Sequence, residues 1–300
     1  MTDFQAHKCQ CCNSTETEIS HEESFFEFPI LKCKKCQHHF VKYQKNGEDM
    51  KQYYKKTYWP TFRNVHNKKL HGKKVDDAYL LKKFPVFFQK IIESTGIRKS
   101  LSYSQFRYLE KYLKKGKLLE IGSGEGFILE LFEKKGFDVN GVEASEDNLE
   151  IIKKKLNSGK CVTGFAEDLP DYKEKFDIII LSHVLEHLVN CKIVISNLRN
   201  LLNDNGILFI EVPNCQNEEE LTQSIFTQPH LHHFTEQSLK ELFHSSKLEV
   251  IRTDIFRSHI VTISEHFRYM INWILKQDCY KKGSNLDGNV LRLIAKKDSK

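Results

Sequence analysis

The sequence predicts an α/β fold: a largely parallel sheet covered by helices on both faces, preceded by a small metal-binding module. Three observations carry this expectation. From Lys117 onward, apolar β-prone runs alternate with stretches of helical spacing, the order that builds parallel sheets. A glycine-rich turn, Gly122-Ser123-Gly124-Glu125-Gly126, follows one such strand and opens a helix. Finally, the first 36 residues hold five of the chain's nine cysteines, four of them in two C-x2-C pairs.

Taken in order, residues 1–42 are cysteine-rich with short β-prone stretches and form the first unit. Residues 43–103 are rich in lysine and aromatics (Tyr53, Tyr54, Tyr58, Trp59, Phe62) and read as a helical connector or lid. Within them Asp76 to Thr95 has helical spacing, is broken by Pro85 and stops at Gly96. Residues 104–300 form the main unit. Ser104 opens a helix through Phe106, Leu109 and Leu113 that Gly116 closes. Strand Lys117–Ile121 leads through the glycine turn to a helix burying Phe127, Ile128, Leu131 and Phe132, ended by Gly136. Strand Phe137–Val142 precedes a helix capped by Ser145, with Leu149, Ile152 and Leu156 on one face. Cys161–Phe165 is a third strand, and the unbroken apolar run Phe176–Leu181 reads as a central one. A helix through Val194, Leu198, Leu201 and Leu202 ends in the turn Asp204-Asn205-Gly206, and Ile207–Val212 is the fifth strand. Thr235 caps a short helix (Leu239, Leu242, Phe243), and Leu248–Phe256 and Val290–Ala295 complete the strands. Between them residues 257–288 form a helical insert whose apolar face (Ile260, Ile263, Phe267, Met270, Ile271, Trp273, Ile274) suits the core or a second copy. Arg268 and Lys276 beside that face leave peripheral membrane contact open.

A composition of 40% hydrophobic and 29% charged residues excludes fibrous and disordered classes. With no apolar run of about 18 residues and no apolar leader after Met1, a spanning helix and a signal peptide are not expected, so the location expected is cytoplasmic. The net charge of +6 is spread over scattered lysine pairs instead of one stripe, which argues against a nucleic-acid partner.

The cysteine spacing C-x2-C, twenty residues, C-x2-C suits two knuckles presenting four thiolates to a tetrahedral structural zinc, from Cys9, Cys12, Cys33 and Cys36. Cys11 is a spare that could replace Cys9, and His38 and His39 stand too close behind Cys36 to be needed. The glycine turn lets backbone approach a ligand above a helix N-terminus, and Glu143, ending the second strand, sits where an acid binds ribose hydroxyls. An adenosine cofactor follows. Phe127 stands where a dinucleotide site wants its third glycine, and Glu120 and Glu125 would repel a pyrophosphate. They would favour a cation instead. S-adenosylmethionine, phosphate-free and positively charged, fits these residues.

Together the segments Leu119–Gly126, Gly141–Ser145, Ala166–Pro170, Phe176–Ser182 with His183-Val184-Leu185-Glu186-His187, and Gly206–Pro213 resemble the class I S-adenosylmethionine-dependent methyltransferases. The resemblance spans roughly residues 104–256. It implies a Rossmann-like seven-stranded methyltransferase sheet of order 3-2-1-4-5-7-6, last strand antiparallel, behind a small zinc-ribbon module. By motif it implies that Gly122 and Gly124, with Ser123, contact the methionine portion and that Glu120 steers its ammonium group. Glu143 and Ala144 would serve the ribose, Ala166 and Glu167 the adenine, and Ser182 and His183 would face the methyl donor. A cysteine knuckle on such a core resembles a subgroup acting on nucleotide-linked sugars and polysaccharide or lipid intermediates, in which the connector aromatics (here Tyr53, Tyr54, Tyr58) help bind the acceptor.

His183 to His187 also spell H-x-x-E-H, an inverted zinc-peptidase motif, but their place after an apolar strand of a parallel sheet opposes that reading. His187 and His230 are the candidate general bases. Pro229 stands where sugar C-methyltransferases carry a glutamate before their histidine, so the base and C-methylation are open. The expected function is methyl transfer to a small, sugar-containing acceptor, by a monomer or homodimer. An RNA or protein methyltransferase, and a non-catalytic S-adenosylmethionine-binding module recruiting a partner through zinc, are the alternatives.

Overall fold

The computed structural model describes residues 8–42, 47–53, 97–257, 271 and 280–298. The helix expected over 76–95, Tyr54 and Tyr58, and residues 258–270 and 272–279 of the insert 257–288 lie outside the described residues.

Among the described residues the main sheet has eight strands, one more than the seven expected, and is mixed. In chain order they are β4 (Lys117–Ile121), β5 (Asp138–Glu143), β6 (Lys160–Thr163), β7 (Phe176–Ser182), β8 (Leu202–Pro213), β10 (Leu248–Arg257), β11 (Lys281–Lys282) and β12 (Val290–Lys297). Their spatial order is β11-β10-β12-β8-β7-β4-β5-β6. Without the two-residue edge strand β11 this is the 3-2-1-4-5-7-6 order. The pairs from β6 to β8 are parallel, and β12 runs antiparallel to both its neighbours. β8 begins five residues earlier than the expected Ile207, because the Asp204-Asn205-Gly206 turn becomes an irregularity in its pairing with β7.

Strand alternation sorts the core into two layers. Leu119, Ile121, Ile179, Leu181, Leu208 and Ile210 face α5 (Cys191–Leu201) and α7 (Glu236–Ser245). Leu118, Ile178, Ile180 and Phe209 face the opposite way, with Phe106 and Leu109 of α2 (Ile97–Leu109) and Ile128, Leu129 and Phe132 of α3 (Phe127–Lys134). α2 starts seven residues before the expected Ser104. α4 (Glu146–Lys155) is capped as expected by Ser145, whose Oγ accepts the Asn148 N–H, and Thr235 with Ser238 forms a capping box on α7. Glu133 on α3 accepts the backbone N–H groups of Asn157, Ser158 and Gly159 and so fixes the approach to β6. No helix among the described residues is long and apolar enough to cross a membrane.

The N-terminal unit is not self-contained. β1 (Thr17–His21), β2 (Ile30–Cys33) and β3 (His39–Val41) form an antiparallel sheet whose fourth strand, β9 (His232–His233), comes from the main unit. Cys9, Cys11, Cys33 and Cys36 belong to the same buried cluster as α5 and α7. Gln10 Nε2 donates to the Val189 carbonyl at 2.8 Å. After this module the short helix α1 (Gly47–Tyr53) carries Met50 to the main unit, and α6 (Glu218–Phe226) precedes β9.

Candidate functional site

The carboxyl ends of β4, β5 and β7 open into a cavity of about 300 Å³, the place where parallel sheets bind ligands. Its floor is the glycine turn. Gly122, Gly124 and Gly126 have φ of +72°, +54° and +75°, the left-handed region that glycine enters without strain. A Cβ on Gly122 would lie 2.4 Å from Val184 Cγ2, and one on Gly126 would lie 2.7 Å from Ile152 Cγ1. A Cβ on Gly124 would meet nothing within 4 Å, so there the backbone itself borders open cavity.

Gly122, Gly124, Glu143, Ala144, Ala166, Glu167, Ser182 and His183 all line this cavity, so the structure brings eight of the ten expected cofactor residues together. Glu143 ties the wall to the floor: its carboxylate accepts the Gly124 N–H at 2.7 Å and the Ser145 N–H at 2.9 Å. Burial outweighs those bonds and raises its pKa. Glu167 accepts the Val189 N–H at 3.2 Å. Two residues stand elsewhere. Glu120 alternates to the opposite sheet face, where burial first, and then the charge of Glu143, push its pKa well above the usual carboxylate range. It does not line the cavity and is not placed to steer an ammonium group there. Ser123 is buried beneath the turn, its hydroxyl donating to the Glu120 carbonyl at 3.2 Å. The negative lining of the cavity therefore comes from Glu143 and Glu167, not from Glu120.

The opposite end of the cavity is built by the residues after β7. His183 sits at φ +54°, a strained conformation for a side-chain-bearing residue, held by its N–H to the Glu211 carbonyl at 2.8 Å. Its Nδ1 lies 3.3 Å from Glu186 Oε1. Burial disfavours the imidazolium, yet Glu186, backed by Glu211 and Glu220, outweighs it and lifts the His183 pKa to about 9. His187 lines the cavity, and its Nδ1 contacts the Pro229 carbonyl at 3.1 Å. A carbonyl only accepts, so Nδ1 carries the proton and Nε2 keeps its lone pair. Burial lowers the His187 pKa and favours the neutral ring. His230 stands behind it, ring centroids 4.6 Å apart, with Nδ1 2.7 Å from Ser224 Oγ. It is buried and does not line the cavity, so it is not placed as a base for a substrate there.

Sequence reasoning missed several residues. Gln105 donates to Ser182 Oγ at 2.8 Å and to Glu211 Oε1 at 2.7 Å. Arg292, fully buried, closes this network through Glu211 Oε2 at 2.5 Å and Ser104 Oγ at 3.0 Å. The network fixes Ser182, which lines the cavity. Met50 also lines it, and the sequence carried no signal for that. Tyr53, expected near the acceptor, packs edge-on against Phe26 with centroids 5.9 Å apart.

In the N-terminal module the sulfurs of Cys9, Cys12, Cys33 and Cys36 lie within 4.8 Å of one another. The pairs Cys12–Cys33 and Cys9–Cys36 stand at 3.5 and 3.6 Å, close to the roughly 3.8 Å edge of a tetrahedron with about 2.3 Å zinc–sulfur bonds. The thiol set therefore fits zinc. Cys11 lies beside this set, its ligand atom within 4.8 Å of those of Cys9 and His38. His38, set aside on spacing, proves to be part of the cluster's surroundings: its Nδ1 is 3.5 Å from Cys9 Sγ, and its ring stacks on Phe40, His232 and Phe234.

Comparison with known proteins agrees with this geometry. The family described as "Methyltransferase domain" matches residues 98–253, more than half of the chain. Curated relatives include the ubiquinone biosynthesis O-methyltransferases of Mesorhizobium japonicum, 31% identical over 102 residues (33% of this chain, 41% of that protein), and of Pelagibacter ubique, 34% identical over 113 residues (37% and 47%). The chain thus spans less than half the length of these relatives. Among solved structures, magnesium protoporphyrin IX methyltransferase from Synechocystis PCC 6803 with bound SAH shares the fold at a TM-score of 0.52 and 14% identity, covering 84% of this chain and all of that one.

Proposed function

This chain belongs to the methyltransferase-domain family, and from that premise we propose that it transfers a methyl group from S-adenosylmethionine to a hydroxyl of a small-molecule acceptor. One observation carries the reading: a single cavity has the open Gly124 backbone and Glu143 at one end and the His187 imidazole at the other.

The residues fit the donor. Gly124 offers backbone where a side chain would obstruct, Glu143 lines the cavity where ribose hydroxyls would lie, and Ala166 and Glu167 line the adenine end. Glu143 and Glu167 supply the negative lining that suits a cation. When bound, S-adenosylmethionine supplies an electrophilic methyl group on a positively charged sulfur. Ser182, fixed by Gln105 and Glu211, and His183, fixed by its backbone bond, define the wall between donor and acceptor ends. Such rigidity is where most of the acceleration of an in-line transfer comes from. His187, with His230 behind it, serves the loss of the acceptor's proton. The four cysteines hold a structural zinc that keeps β2 and β3 in register beside β9.

A hydroxyl acceptor follows the relatives, which are O-methyltransferases by name. A sugar hydroxyl belongs to the same chemical class, so the acceptor panel should contain both phenols with ring hydroxyls and nucleotide-linked sugars. Purified protein is titrated with S-adenosylmethionine and its demethylated product by calorimetry, then incubated with labelled donor and the panel. Saturable binding and label in an O-methyl product are expected. Folded protein that binds neither donor nor product would reject the assignment. Binding without turnover on any pool would favour a recruiting module instead.

A further inference from the structure

We infer that Glu186, His187 and His230 form a second metal centre, a site for one divalent transition-metal ion at the acceptor end of the cavity. The catalytic part of this inference rests on the reading above; the binding part does not.

One donor atom from each of the three residues lies within 4.8 Å of the other two, a span that a single ion can bridge. The cluster is separate from the four cysteines. Glu186 supplies the independent observation. It is 1% exposed, its Oε2 has no hydrogen-bond partner, and Oε1 meets only the His183 imidazole at 3.3 Å. No lysine or arginine among the described residues pairs with it. A buried carboxylate costs several kcal/mol unless its charge is compensated, and the His183 imidazole reaches only Oε1, which leaves Oε2 without a partner.

Both imidazoles are held as ligands are held. His187 Nδ1–H donates to the Pro229 carbonyl, and His230 Nδ1 bonds to Ser224 Oγ at 2.7 Å. A hydrogen bond at one ring nitrogen orients an imidazole for coordination. Two imidazoles and one carboxylate suit zinc, cobalt, nickel or ferrous iron, not magnesium or calcium, which prefer oxygen donors. Three protein ligands leave a position open, and His187 is the ligand that borders the cavity. An acceptor hydroxyl taking that position loses its proton to water at a lower pKa. The oxygen's electron pair then forms the bond to the methyl carbon as the carbon–sulfur pair returns to sulfur.

Cobalt(II) is the probe, because thiolate ligands give an intense sulfur-to-metal charge-transfer band that nitrogen and oxygen ligands lack. Chelator-treated full-length protein should take up a second equivalent of cobalt that adds d–d absorption without adding to that band. Glu186→Gln should lose the second equivalent and keep the first. Ser224→Ala, which leaves all three ligands in place, should weaken it about 10- to 100-fold. Donor binding, measured on each variant by calorimetry, reports the fold and the parent reading separately. A wild type whose cobalt is all thiolate-bound, or a cobalt titration unchanged in both variants, would overturn the metal centre. In the first of these outcomes, with donor binding intact, methyl transfer would stand, with His187 acting through its own lone pair.

Discussion

Gly124→Arg should abolish donor binding while leaving the protein folded, and the two effects can be sized separately. Gly124 has φ +54°, so any side chain there pays a left-handed backbone cost of about 1–2 kcal/mol. Its Cβ would meet nothing within 4 Å, so no clash adds to that. At roughly 2–4 °C per kcal/mol for a domain of this size, the melting temperature should drop by about 2–8 °C. The binding effect is larger. An arginine side chain would enter a cavity of about 300 Å³ with its charge near a cationic donor. At about 5 Å and an effective dielectric of about 20 the repulsion is about 3 kcal/mol, a loss of more than a hundredfold in affinity. Calorimetry with the donor and a thermal melt on the same sample measure both. Gly122→Ala is the control: its Cβ would sit 2.4 Å from Val184 Cγ2, so it should destabilise more than Gly124→Ala despite the smaller effect on cavity volume. A Gly124→Arg protein binding the donor within tenfold of the parent, or Gly122→Ala melting no lower than Gly124→Ala, would refute the reasoning.

Three further outcomes are expected. Arg292→Met strands the buried Glu211 carboxylate and should cost about 3–5 kcal/mol in denaturant unfolding; adding Glu211→Gln should recover part of it, and no recovery would show that the ion pair is not the cause. Glu133 has its pKa lowered to about 2, because backbone N–H groups of Asn157, Ser158 and Gly159 outweigh the effect of burial. Its stabilisation is therefore present above the ordinary value of 4.5 and is lost as pH falls from there toward 2, so the deficit of Glu133→Ala in chemical melts should be visible at pH 7 and shrink below 4.5. Treatment with a strong chelator, or Cys36→Ser, should lower the melting temperature and expose residues 30–41 to proteolysis before the main sheet; equal protection in treated and untreated protein would argue against a structural metal.

Much of this architecture was legible because local signals agreed with the tertiary solution. Phe176–Ser182 is buried on both faces as its apolar run implied, and Ser145 and Thr235 cap the helices they precede. The glycines of the turn were readable for the same reason: left-handed backbone leaves few residue choices. What failed was polarity. Glu211 and Arg292 interrupt strands buried on both faces, and each is buried because the other lies across the β8–β12 pair, a partnership that spacing along one strand cannot reveal. Glu120 misled because alternation within β4 decides which face a motif residue takes. His38 was dismissed by counting residues from Cys36, whereas the Gln37 turn at φ +60° brings its ring back to Cys9. Glu186 stood inside a motif that was read for its two histidines, and its burial is a property of the packing.

The strand shared between β3 and β9 also sets a timetable. His39 and Phe40 pair with His233 and His232, so roughly 190 residues must be made after the cysteine module before its last strand exists. At about 5–20 residues per second of synthesis the module waits about 10–40 s on the ribosome with one edge unsatisfied. During that interval its exposed backbone and reduced thiols are open to chaperones, to metal donors and to wrong strand partners. Closure of the cysteine module's sheet and completion of the main unit are thus ordered events in the birth of this protein.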